Sequence, residues 1–293
     1  MYNQLTTGEK IFKVINGLFM VALMIVMLYP MLYVLFASFS IPRDLMAHEG
    51  LLLHPLGFTF GSYQMVFKNP MVVRGYINTL FVVVVGVMIN LVLTSIGAYF
   101  LSRKNVKLQS FVMKFIIITM FFSGGLIPFY YTIKDLGMYD TYWALLLPGA
   151  ISTFNLIIMR TSFDAIPDSL EEAAKIDGAG HLTILTRIIL PLSGPTVAVI
   201  LLYYAVGHWN SWFNASIFLR TRQLYPLQLI LREILIQNDT AIMTQGVGAI
   251  DMDSISETVK YAVIIVATVP ILCLYPFLQK YFVKGVMVGS LKG

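Results

Sequence analysis

The stretch EEAAKIDGAGHLTILTRIILPL, residues 171–192, sets a charged, glycine-broken segment directly between two apolar runs. Pro167 precedes it, and Ser169 with Glu172 has the S-x-x-E spacing of a capping box, which satisfies free backbone donors at a helix start. That spacing predicts a helix from Leu170, with Glu171 and Glu172 at the positive end of its dipole. Gly178 ends the helix about two turns later, Gly180 adds a second bend, and from His181 the chain turns apolar and enters the next run at Pro191. A two-turn helix is marginal alone in water, so its Leu170, Ala173 and Ala174 face calls for a surface to pack on. Alanines let a partner approach the backbone closely, and Glu172 and Lys175 can rim the contact. The other reading is an interfacial helix that only covers the floor of a bundle.

The flanks decide what solvent surrounds this segment. The chain is 58% hydrophobic and 12% charged, against about 45–50% apolar and 25% charged in a water-soluble globule. Its apolar residues gather in six runs, at about 11–36, 75–100, 111–131, 142–159, 191–213 and 259–278, near the roughly 20 helical residues that cross a bilayer. Hydrocarbon offers a backbone no partner but itself, so each run is expected to be helical. The fold class is an all-α membrane protein of six transmembrane helices. Lysine and arginine collect on the cytoplasmic side, and the cluster Arg103, Lys104, Lys107 and Lys114 puts both termini inside. Residues 40–74 and 214–258 are then external, and Leu224, Leu227, Leu231 and Leu235 give the second of these a helix lying on the bundle.

The whole chain reads as one membrane domain, 1–293. Its core is 72–284, its first span and external loop 11–74, and its cytoplasmic loop 160–190. Lys10 and Lys13 lead into an apolar run that ends near Ala37 and Ser38, but the run is about twice a signal-peptide core and reads as a retained span. The net charge of +5 follows from the span-end clusters, which argues against a nucleic-acid surface. Cys273 stands alone, which excludes an internal disulfide and a cysteine zinc cluster. No phosphate loop, HExxH or GxSxG occurs, and His48, His54, His181 and His208 fall in unrelated places, so the chain does not read as an enzyme. His208, beside Trp209 and Asn210, is more simply a residue with a local partner than a ligand or proton relay.

Polar groups inside the runs are mainly neutral: Asn78, Asn90, Thr94, Ser95, Asn155, Tyr203 and Tyr204. A gradient-driven carrier usually keeps a buried charge, so a self-contained secondary transporter or channel is the weaker alternative. Tyr203, Tyr204, Trp209, Asn210, Trp212 and Asn214 mix flat rings with amides, as a sugar site does. An aromatic belt at the membrane interface uses the same residues.

Glu172, Ala173, Ala174, Gly178, Ile188, Leu190 and Pro191 reproduce the EAA-x3-G-x9-I-x-L-P signature of the membrane subunits of binding-protein-dependent ABC importers, and the chain resembles that family along nearly its full length. Phe163, Ile166, Pro167 and Leu170 upstream, with Tyr63 and Asn78-Thr79-Leu80, are similar to the sugar branch, its MalG-type subunits and its LplC/YtcP-like group. The resemblance implies a MetI-like, type I permease fold in a bacterial cytoplasmic membrane. It implies that Ser169 to Ala174, with Asp177, Gly178, Ala179, Ile188, Leu190 and Pro191, seat a coupling helix in an ATPase subunit. Partners implied are a second permease, two ATPase subunits that hold ATP and magnesium, and an extracellular substrate-binding protein. The cargo implied is a sugar, in the LplC/YtcP-like group an oligosaccharide from complex or acidic polysaccharides, and this chain is expected to bind no cofactor or metal. The substrate path would draw on Asn78, Asn90, Asn155, Tyr203, Tyr204, Trp209, Asn210 and Trp212.

Overall fold

The computed structural model describes residues 6–103, 106–237 and 258–273, among which all regular structure is helical. The described residues fall into two compact units, one within Met1–Asn69 and Glu233–Thr268, the other within Pro70–Arg232 and Val269–Gly293.

In the first unit, α1 (Thr7–Phe39) opens on a capping box. Thr6 Oγ1 accepts from the Glu9 amide at 3.3 Å, and the Glu9 carboxylate accepts from the Thr6 amide at 2.7 Å. Beyond α1 come α2 (Pro42–Met46) and α3 (Gly61–Lys68). Ala37, Leu45 and Leu52 form a small core, the Phe39 and Phe58 rings stack at 5.3 Å, and the Ser38 and Tyr63 hydroxyls share a 2.7 Å hydrogen bond.

The second unit is organised by α4 (Pro70–Ser102), on which α8 (Thr153–Asp164) and α12 (Gly194–Trp209) pack. Between lipid-facing helices apolar burial gains little, so close approach depends on small residues and interhelical hydrogen bonds. The α4 helix supplies both. A Cβ on Gly97 would lie 3.2 Å from Leu156, and one on Gly86 only 2.5 Å from His208 Nε2. Ala98, Leu156, Met159, Phe163, Ile184, Ile189 and Ile200 close the core at one end of α4; Val82, Leu145, Leu146, Ala215 and Leu219 close it at the other.

The expected apolar runs exist, but several are not continuous helices. Among the described residues, only α1 and α4 are single helices long and apolar enough to cross a membrane. The run 111–131 is split into α5 (Gln109–Phe121) and α6 (Leu126–Asp135), bent by 116°. The run 142–159 is likewise interrupted, by residues 147–152 between α7 (Trp143–Leu146) and α8. Pro148 has no amide to donate and Gly149 has no side chain to pack, so the helix stops there. Residues 181–209 bend by 89° at Ser193, rather than starting a span at Pro191. The arm before the bend comprises α10 (His181–Ile184), a π turn (Leu185–Ile189) and α11 (Leu190–Leu192). Widening ahead of Pro191 relieves the clash of its ring with the preceding turn: the Leu190 amide reaches back five residues to the Leu185 carbonyl.

Beyond the bend stand α13 (Phe213–Phe218) and α14 (Leu227–Gln237), the latter where an external helix is expected. Leu227 and Leu231 are buried, with Ile230 between them, while Leu224 belongs to a separate 3₁₀ turn. The run 259–278 corresponds to α15, Thr258–Cys273, and its last five residues lie outside the described ones, as does the C-terminus.

Candidate coupling elbow and cavity

The elbow helix α9 spans Asp168–Ile176, two residues earlier than the sequence spacing predicts. Its N-cap is Pro167, which makes no side-chain capping bond, so the Ser169 and Glu172 capping box is not formed. Proline presets the entry backbone, and Asp168 and Glu171 bring negative charge to the first turn. At the other end the expected stop is present. Gly178 is at φ +79°, the Ala179 amide donates to the Ala174 carbonyl at 2.9 Å and the Gly178 amide to Lys175 at 3.0 Å, which is a Schellman cap. Gly180, in extended backbone, then caps α10.

The elbow has two unlike sides. Leu170 is 43% exposed and Ile176 87%, and Ala173 between them is exposed too, so an apolar stripe faces outward with Ser169, Glu172 and Asp177 around it. Ala174 and Ala179 instead pack against the unit's core. Glu171, read from sequence as a dipole partner, is only 7% exposed. Its carboxylate accepts from the Arg103 guanidinium at the end of α4 and from Lys175 Nζ at 2.8 Å. Arg103 also donates to the Phe163 carbonyl at 3.1 Å and to Ser102 Oγ at 3.1 Å, and lies 5.2 Å from the centre of the Tyr99 ring. The Tyr99 hydroxyl reaches His181 Nδ1 at 3.0 Å, which ties in the second arm. A cleft of about 520 Å³ lies among these groups.

Burial acts most strongly on Glu171 and pushes its carboxyl up, but hydrogen bonds from Lys175 and Arg103 and their charges together hold it below the usual carboxylate range. A depressed carboxylate contributes stability above its unfolded value and loses it only as pH falls through the folded one. The Glu171 carboxylate therefore stays charged at neutral pH.

A second cavity, of about 440 Å³, lies where residues 147–152 approach α12 and is lined by Ser152, Phe154, Asn155, Tyr203, Tyr204, His208, Ser211 and Asn214. Four of the sequence candidates meet here: Asn155, Tyr203, Tyr204 and Asn214. Tyr204 also has a structural task, because its hydroxyl accepts from the Ser152 amide at 2.9 Å and pairs with Thr94 Oγ1 at 2.8 Å. Asn90 sits behind the wall, with Nδ2 donating to the Gly149 and Ala150 carbonyls at 2.9 Å each and Oδ1 2.7 Å from His208 Nε2. His208 thus has the local partner expected of it.

The remaining candidates lie elsewhere. Asn78 donates to the Gln223 and Tyr225 carbonyls at 2.7 and 2.9 Å and accepts from the Tyr142 hydroxyl. Trp209 is 5% exposed, its ring edge-on to Tyr76 at 6.2 Å. Asn210 is exposed at the end of α12, and Trp212 lies under the Arg232 guanidinium at 3.7 Å. No group of His, Cys, Asp and Glu that could hold a metal occurs among the described residues.

Residues 91–288, which include the elbow and most of the cavity wall, match the family of binding-protein-dependent transport system inner membrane components. The chain belongs to that family. It is 41% identical to protein LplC of Bacillus subtilis, over 98% of this chain and 97% of that one. To the polygalacturonan/rhamnogalacturonan transport system permease protein YtcP of the same organism it is 38% identical, over 97% and 99%. Among solved structures it superposes with TM-score 0.87 and 31% identity on a bacterial ABC transporter involved in import of the acidic polysaccharide alginate, covering 95% of this chain and 99% of that one. As an ABC permease of the sugar branch it is a multi-pass component of the cytoplasmic membrane and not an enzyme.

For this permease, what sequence reasoning missed is the Arg103–Glu171 pair. The partners are 68 residues apart and no local spacing links them. The only cue was an arginine at the end of one apolar run and a surplus glutamate before the EAA signature.

Proposed function

We propose that this permease forms the translocation path of an ATP-driven oligosaccharide importer together with a second, homologous permease, and is moved through α9 by separate ATPase subunits. The observation that carries this is the outward stripe of Leu170, Ala173 and Ile176 on a helix fixed to its own bundle from the other side. Together Leu170, Ala173 and Ile176, the last 87% exposed, form an apolar stripe that gains by docking in a protein cleft. ATP and magnesium belong to the ATPase partners, and an extracellular binding protein delivers the substrate. In this reading both termini lie in the cytoplasm, on the same side as the elbow, with six crossings of the membrane and one permease domain in all. Transport work enters as a difference in the ATPase's affinity for two permease conformations.

The relatives that transport polygalacturonan, rhamnogalacturonan and alginate favour an oligosaccharide cut from an acidic polysaccharide. The cavity of this chain offers rings, hydroxyls and amides, which suit the faces and hydroxyl groups of a sugar rather than its charge. Uptake into proteoliposomes should stop when the ATPase subunits are left out. Uptake that persists without them makes the protein a self-contained carrier. Within the importer, Tyr203→Ala and Asn155→Leu should each raise the KM for oligosaccharide uptake about tenfold while ATPase binding and thermal stability hold, as transport kinetics and unfolding scans can read. An unchanged KM removes the cavity from the path.

A further inference from the structure

Docking on the outward stripe does not by itself move the transmembrane helices, because α9 is joined to them in sequence only through the turn at 165–167 and the glycine-bounded bend at 178–180. The side-chain route is more direct. Glu171 grips Arg103, and Arg103 is at once the residue after α4, a donor to the α8 carbonyl of Phe163 and a neighbour of the Tyr99 ring.

Further along α4 the polar contacts continue at buried positions. Ser95 Oγ reaches Met159 Sδ at 3.4 Å, Thr94 reaches the Tyr204 hydroxyl, and Asn90 holds Gly149, Ala150 and His208 in the cavity wall. From position 103 to position 90 a helix at 1.5 Å per residue covers about 20 Å. A helix of this length is stiff along its axis, so a push at its Arg103 end is felt where Asn90 and Thr94 bond the interrupted segment and α12.

We propose that Arg103 and Glu171 are the joint that delivers motion of the elbow to α4, and through α4 to the wall of the 440 Å³ cavity. The inference rests on α9 being the ATPase-docking helix. Arg103 is a positioning residue here, touching neither substrate nor ATPase. Lys175 provides an internal contrast. It pairs with the same carboxylate, but its side chain is 43% exposed and it lies on α9 itself, so it does not link α9 to α4.

The test uses the whole importer, with its partner permease, ATPase subunits and binding protein, in proteoliposomes. The readout is substrate molecules taken up per ATP hydrolysed. Arg103→Met and Glu171→Gln should keep the ATPase subunits bound and hydrolysing but lower that ratio at least tenfold. Arg103→Lys, which preserves a cation at the joint, should recover most of it, and Lys175→Met should stay within about twofold of wild type. A wild-type ratio in Arg103→Met overturns the joint. So does an equal loss in Lys175→Met, which would make the effect one of elbow stability. Loss of the ATPase subunits from both Arg103→Met and Glu171→Gln also overturns it, since the pair would then serve assembly. Ala173→Trp tests the docking reading separately: it leaves the joint intact and should release the ATPase subunits, and their retention with normal uptake sinks that reading on its own.

Discussion

Gly178→Val should lower uptake per ATP at least tenfold, whereas Gly178→Asn should remain within a few-fold of wild type. The two variants separate backbone conformation from space. A Cβ at position 178 meets nothing within 4 Å, so adding one there is not opposed by a neighbour. What differs is tolerance of φ +79°. An L-residue in that region costs about 1–2 kcal/mol, more when β-branched, and asparagine adopts it most readily after glycine. Valine relieves its strain by abandoning the Schellman cap, which frees the Ala174 and Lys175 carbonyls and lets the last turn of α9 swing. Ile176, 87% exposed, sits on that turn. The transmembrane helices are untouched, so thermal unfolding of the purified protein should barely shift. Equal transport by the valine and asparagine variants would show that the left-handed turn is not required.

The elbow was legible because its determinants are local. A glycine stop, a second glycine and a proline at fixed offsets act within a few residues of themselves, and the structure reproduces the stop at Gly178 and the restart at His181. Its start departs from the S-x-x-E spacing because Pro167, with its fixed φ, admits the helix two residues sooner. Burial of Glu171 was not legible, since it depends on where α4 ends in space.

The apolar runs show the opposite limit. Hydropathy counts residues and ignores continuity, so 111–131 and 142–159 read as spans although Ser123-Gly124-Gly125 and Pro148-Gly149 stand inside them. Those breaks explain the buried amides. A helix interrupted at depth exposes carbonyls that hydrocarbon cannot satisfy, and the neighbouring helix must supply donors. Asn90 does this for Gly149 and Ala150, and Tyr204 accepts the Ser152 amide. Asn78 does the same for the carbonyls of Gln223 and Tyr225 before α14. The neutral polar residues noticed in the runs therefore divide into those that complete the fold and those, Asn155 and Tyr203 above all, that face a cavity.

That division predicts a large effect at Asn90. Asn90→Leu keeps the side chain's branching and number of heavy atoms but removes both amide hydrogens from the Gly149 and Ala150 carbonyls and the acceptor from His208. Orphaning a buried polar group costs about 1–3 kcal/mol in water-soluble proteins, while interhelical bonds in membranes average nearer 0.6 kcal/mol. Three groups lost together therefore imply a destabilisation of about 2–5 kcal/mol. The His208 ring also lies close over Gly86, where a Cβ would come within 2.5 Å of Nε2, so any residue larger than glycine there would crowd it. The variant should unfold at a clearly lower temperature in detergent and lose uptake because the cavity wall is no longer held. Tyr203→Ala, by contrast, should change KM with little change in Tm, and comparing the two scans checks the assignment. A stable Asn90→Leu protein with altered substrate kinetics would move Asn90 from the scaffold into the transport path.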